Sequence, residues 1–168
     1  MKKITILFAF IMVVLGLQAQ EFNVPKDYQL VKAEDYAPYE QDVINAVSWL
    51  IETPFNEQIS KRKEVNAFVL KWVSGSPTIH IEVNPEVVNF INSSPDLLMP
   101  FLGGWAKYSL ETKDYNNKLA GNLAGLEAVI SVYTKNKLPK DKNIENYIKL
   151  KKNDKLEGYV ARRIEPNK

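Results

Sequence analysis

Residues 96–135 constrain the fold more than any other stretch, because two apolar stripes at helical spacing stand there with only a short polar segment between them. Leu98, Phe101, Leu102, Trp105 and Tyr108 recur on one face of a first helix. Leu119, Leu123, Leu126, Ile130 and Tyr133 do the same on a second. Lys113-Asp114-Tyr115-Asn116-Asn117 between them has the residue types of a turn followed by an N-cap. Two such stripes bury each other most simply as an antiparallel helix pair.

The same stretch holds Gly103, Gly104, Gly121 and Gly125. A glycine inside a helix costs about 1 kcal/mol relative to alanine, so several of them call for a reason. Gly121 and Gly125 are one helical turn apart and share a face, which predicts close approach of a neighbouring helix backbone. A phosphate cradle at Gly103-Gly104 would need a following Lys-Ser/Thr and a preceding strand, and neither is present.

The rest of the chain reads in the same terms. Pro38 stands in the first turn of a helix, and Tyr39, Val43, Ala46, Val47, Leu50 and Ile51 line its face as far as Thr53-Pro54. Thr53 is a candidate cap for a following helix. Val65, Phe68, Val69, Trp72 and Val73 form the next stripe, with Gly75 as a C-cap and Pro77 as a stop. Lys61-Arg62-Lys63, beside Glu57 and Glu64, reads as a solvated helix face. Thr78–Val83 is the one place with a period of two. Ile79, Ile81 and Val83 would face one way and Thr78, His80 and Glu82 the other, as in an extended connector or a short edge strand. Asn84-Pro85 predicts a helix over 86–91, and Ser93 or Ser94 with Pro95 opens the central pair, with Pro100 near its first turn. Ile144, Tyr147, Ile148 and Leu150, then Leu156, Tyr159, Val160 and Ile164, predict two final helices. The expected fold is all-α: one domain of about seven helices in antiparallel pairs over 38–168, behind an extended arm over 21–37.

Met1-Lys2-Lys3, the apolar run Ile4–Leu17 and Gln18-Ala19-Gln20 have the layout of a secretory signal peptide over 1–20. The run is shorter than the roughly 18 to 20 apolar residues that a membrane span needs. Cleavage after Ala19 or Gln20 would give a periplasmic or secreted chain without a transmembrane segment. The full sequence carries 22 basic and 20 acidic residues, and residues 1–20 contain Lys2 and Lys3 and no acid, so the processed chain is formally neutral. That argues against a nucleic-acid partner. The charge is uneven, however: the basic C-terminal helices expected over 141–164 face an acidic body, or else offer their Lys and Arg to anionic envelope lipid.

The chain has no Cys, which excludes disulfides and thiolate chemistry. His80 is its only histidine. A metal at His80 and Glu82 would need ligands that the sequence does not place, so no metal or cofactor is expected. No G-x-S-x-G elbow accompanies His80. The candidate binding residues are Trp105, Tyr108, His80 and Glu82. The sequence fits a non-enzymatic interaction module of the cell envelope with a protein partner. The alternative is a small hydrolase-like envelope enzyme using His80 with carboxylates.

W-L-x-x-T-P at Trp49–Pro54, N-A-F-x-L-K-W at Asn66–Trp72 and S-S-P-x-L-L-M with G-G-W-x-K-Y across Ser93–Tyr108 carry a resemblance. With the later G-N-L-A-G-L-x-A-V and D-K-N-I-E-x-Y-I-K-L stretches, the chain resembles small exported bacterial proteins of unassigned function. The resemblance implies a shared helical domain and no catalytic or binding residue.

Overall fold

A computed structural model describes residues 22–165, so the expected signal peptide lies outside the described residues. Six α-helices carry the fold: α1 Glu40–Glu52, α2 Ile59–Gly75, α3 Leu98–Thr112, α4 Lys118–Lys135, α5 Lys142–Lys152 and α6 Leu156–Ile164. The chain is all-α, with no strand among the described residues.

The antiparallel pair α3–α4 is the centre, and its glycines explain how close the two backbones come. A Cβ on Gly104 would stand 2.7 Å from the Ala124 carbonyl oxygen and 2.7 Å from the Ala128 Cβ. A Cβ on Gly125 would meet the Phe101 ring at 2.7 Å and the Phe101 carbonyl oxygen at 2.8 Å. One on Gly121 would overlap the Trp105 indole, 2.2 Å from Nε1. The turn has the expected chemistry: the Asn117 side chain accepts from the Ala120 N–H at 3.0 Å and caps α4.

Two apolar clusters flank this pair. The first holds Val43, Val47 and Leu50 of α1, Phe68 and Trp72 of α2, and Ala106 and Leu110 from the second half of α3. The second holds Phe101 and Trp105 from the first half of α3, Leu126 and Val129 of α4, Ile144 and Tyr147 of α5, and Val160 of α6. Because α3 belongs to both, it joins the two halves. Residues 22–36 lie along α2. Phe22, Leu30 and Tyr36 are buried, Tyr28 packs edge-on to Phe68, and the Trp72 indole N–H donates to the Tyr36 carbonyl at 3.0 Å.

Several local expectations are corrected. No α-helix opens at Asn84-Pro85. The Asn84 side chain instead accepts from the Glu86 N–H at 2.8 Å in a turn, and a 3-10 segment follows at Asn89–Asn92. Val87, Val88 and Phe90 are all buried there. Thr53 caps nothing: α2 starts six residues later, after Gln58 in the left-handed region at φ 46°. Gly75 is no left-handed cap either, since no described glycine has positive φ. It is needed because a Cβ would stand 2.0 Å from the Tyr36 Oη.

Gly104→Ala isolates the cost of the α3–α4 contact. The intrinsic gain in helix propensity is about 1 kcal/mol. The clash is with a backbone carbonyl that cannot rotate away, so a net loss of about 1–3 kcal/mol is expected in urea unfolding. An unchanged midpoint would show that the helices separate without penalty.

Candidate functional site

The structure treats the four candidate residues differently. Trp105 is 2% exposed, with its indole enclosed against Gly121, so it presents no surface to a ligand. Trp49 and Trp72 are buried too, and none of the three indoles lines an open groove. Tyr108 is half-buried, and its hydroxyl donates to Asp114 Oδ2 at 3.2 Å. It borders a depression of about 460 Å³ whose charged lining is already matched, with Lys107 paired to Glu111 and Lys151 to Glu127.

His80 and Glu82 point outward from a segment that runs without helix or turn from Ile79 to Asn84. Ile79 is buried and Ile81 half-buried between them, so the period-two reading holds, except that Val83 is 44% exposed. Glu82 accepts from Lys118 Nζ at 2.6 Å, an exposed pair worth little to stability. Lys118 is the first residue of α4, and Asn117 beside it also donates to Asp114 at 3.0 Å. Glu82 and Tyr108 therefore meet at the same α3–α4 turn. The His80 side chain forms no hydrogen bond or ion pair with a described residue, and no serine or threonine hydroxyl is placed against it. Among the described residues no group of three His, Asp or Glu side chains is positioned to hold a metal ion.

Arg62 is the residue that sequence reasoning misplaced. It is half-buried, not part of a solvated face. Its guanidinium donates to the Leu50 carbonyl at 3.0 Å, the Pro54 carbonyl at 3.2 Å and the Thr53 carbonyl. It also lies 4.9 Å from the Phe55 ring centroid and 5.5 Å from that of Trp49. Burial lowers its pKa from the ordinary guanidinium value. No carboxylate lies within ion-pair distance among the described residues, so the charge is balanced by carbonyl dipoles at the end of α1. The signal was the Thr53-Pro54 stop itself, which leaves those carbonyls without a glycine cap.

Arg62 borders a cleft of about 410 Å³ between α2 and the start of α3. Leu50, Phe55, Leu98, Met99 and Pro100 give it an apolar floor. Ile59, 57% exposed, stands on the rim with Lys63, Asn66 and Asp96.

A buried polar network lies apart from this cleft. Asp141, 3% exposed, caps α5 by accepting from the N–H groups of Asn143 at 2.8 Å and Ile144 at 3.2 Å. Its other oxygen accepts from the hydroxyls of Ser93 and of Ser94, the latter at 3.2 Å. The Tyr133 hydroxyl accepts from the Asp141 N–H at 3.1 Å and donates to Glu145 at 2.8 Å. Burial alone would raise the Asp141 carboxyl, but the Ser93 hydroxyl and the α5 N–H groups outweigh it and hold the pKa below the usual carboxylate value. Its bonds cap α5 and tie it to Ser93 and Ser94 on one side and to Tyr133 of α4 on the other, so the network is structural.

A carboxyl with a depressed folded-state pKa contributes stability that is fully present above its unfolded value, about 3.9, and lost as pH falls through its folded value. Asp141→Ala should therefore cost about 2 kcal/mol at neutral pH, and the gap to wild type should close below about pH 4. Chemical unfolding of both chains across pH 2–7 checks this; a gap independent of pH would remove the Asp141 charge as its source. No family model, curated protein or solved structure matches the chain.

Proposed function

We propose that this protein is an exported, non-enzymatic interaction module of the bacterial cell envelope, and that it holds an apolar anchor of a partner protein in the α2–α3 cleft. The observation that carries this reading is the cleft's composition. An apolar floor meets an isoleucine more than half exposed, and the rim offers one cation and one anion, Lys63 and Asp96. A floor of this kind gains free energy by excluding water, and a charged rim fixes the register of what enters. Export is read from the basic start and apolar run of residues 1–20, with a periplasmic or secreted destination. Phe22, the first described residue, is buried against the body. No described helix is long and apolar enough to cross a membrane.

Cross-linking the chain without residues 1–20 in its native envelope fraction tests the cleft. Ile59→Ser should abolish capture of a saturable partner while shifting stability by less than about 0.5 kcal/mol, as for other surface changes. Equal capture by both chains would move the contact elsewhere.

A second reading concerns anionic lipid. Lys142, Lys149, Lys152, Lys155 and Arg162 are exposed on α5 and α6 and form no ion pair with a described residue; Lys151, paired to Glu127, is the exception. The acidic body therefore leaves most of this charge open to an anionic surface. Vesicles rich in phosphatidylglycerol should sediment the wild-type chain and release it on Lys149→Glu with Lys152→Glu. Sedimentation unaffected by that exchange, or absent for wild type, would count against the lipid reading.

A further inference from the structure

We propose that residues 79–83 pair antiparallel with the same residues of a second copy of this chain, in a register centred on Ile81. The backbone N–H and C=O groups of His80, Ile81, Glu82 and Val83 bond to no described residue. Such groups are satisfied by water or by a partner, and an extended segment that leaves them open is a template for strand addition. The segment lies at the rim of the molecule, because Glu82 reaches Lys118, the first residue of α4, at the α3–α4 turn.

The edge that faces outward follows from one bond. The Ile79 N–H donates to the Ser76 hydroxyl at 3.2 Å, back toward the end of α2. Successive peptide groups of an extended chain point to opposite edges, so the groups of His80 and Glu82 face away from that bond. In the register centred on Ile81, His80 of one copy lies opposite Glu82 of the other, and the two exchange N–H···O=C bonds at both symmetric positions. Their side chains share the outer face, where the imidazole can donate to the carboxylate across the strands. Ile79 lies opposite Val83, which covers an apolar side chain that is 44% exposed in the single chain. A shift of one residue would set His80 against Ile81 or Val83 and place inward side chains opposite outward ones, so the pattern of two fixes the register. A two-fold contact of this kind is isologous and closes at two copies. Five paired residues bury less than a standard stable interface, so association depends on concentration.

Sedimentation equilibrium of the chain without residues 1–20, over a concentration series, should show the mass rising from one chain to two. His80→Glu sets like charges opposite each other and should abolish that rise; adding Glu82→Lys reverses the charge pair and should restore it. Hydrogen exchange gives a second measurement that needs no variant: the His80 and Glu82 amides should exchange freely in dilute solution and gain protection as the concentration rises. A wild-type mass of one chain throughout would overturn the proposal, as would a dimer insensitive to His80→Glu or amides without concentration-dependent protection. Failure of the double exchange to restore a dimer would overturn the Ile81-centred register. None of these readouts involves the α2–α3 cleft.

Discussion

The backbone contact between α3 and α4 sets the dimensions to which everything else conforms. Gly104, Gly121 and Gly125 remove the Cβ atoms that would hold the helices apart, and the Phe101 and Trp105 rings fill the space so released. Three glycines within helices would cost about 1 kcal/mol each in isolation, so the contacts they permit must exceed that cost. Because α3 is gripped along one face by α4, its other faces are free to serve two cores at once. Its first half supports Leu126, Ile144 and Val160, and its second half supports Val47, Phe68 and Trp72. The molecule is one domain because a single helix, α3, runs through both clusters.

A second constraint arises where α1 stops. Thr53-Pro54 ends the helix without a left-handed glycine, so the last carbonyls need donors from elsewhere. Arg62 from α2 reaches Leu50, Thr53 and Pro54, and Lys135 at the end of α4 reaches the Glu52 carbonyl at 3.2 Å. Two cations thus meet the negative end of the α1 dipole, and each also ties α1 to a neighbouring helix.

This explains which parts of the fold could be read from the residues. Stripes of large apolar side chains at helical spacing located all six helices, because each buries one face and that face repeats with the backbone. The glycine contact was legible for the same reason, since Gly121 and Gly125 lie one turn apart. Arg62 was not legible, because its role depends on carbonyls eight to twelve residues earlier that approach it only after folding. Residues 84–92 misled for a local reason. Asn-Pro opens either a helix or a turn, and here the Asn84 side chain closes a turn on the Glu86 N–H, with Val87, Val88 and Phe90 buried after it. Trp105 and Tyr108 were candidates as large aromatics beside glycines, yet the glycines are what bury the indole.

The helix interiors are mainly apolar. Of their buried polar groups Asp141 is committed to a cap, while Ser109 Oγ and Asn122 Oδ1 have no hydrogen-bond partner among the described residues. The cleft beside Ile59 exists because the Thr53–Gln58 connector delays the start of α2, which leaves apolar side chains of α1 and α3 without a third helix above them. The 79–83 segment is open for a related reason. It must cross from the first cluster to the second in an extended form, and no neighbouring strand accompanies it, so its peptide groups remain exposed at the rim. Both surfaces follow from building two cores on one helix: the connectors that pass between the cores leave side chains and peptide groups uncovered.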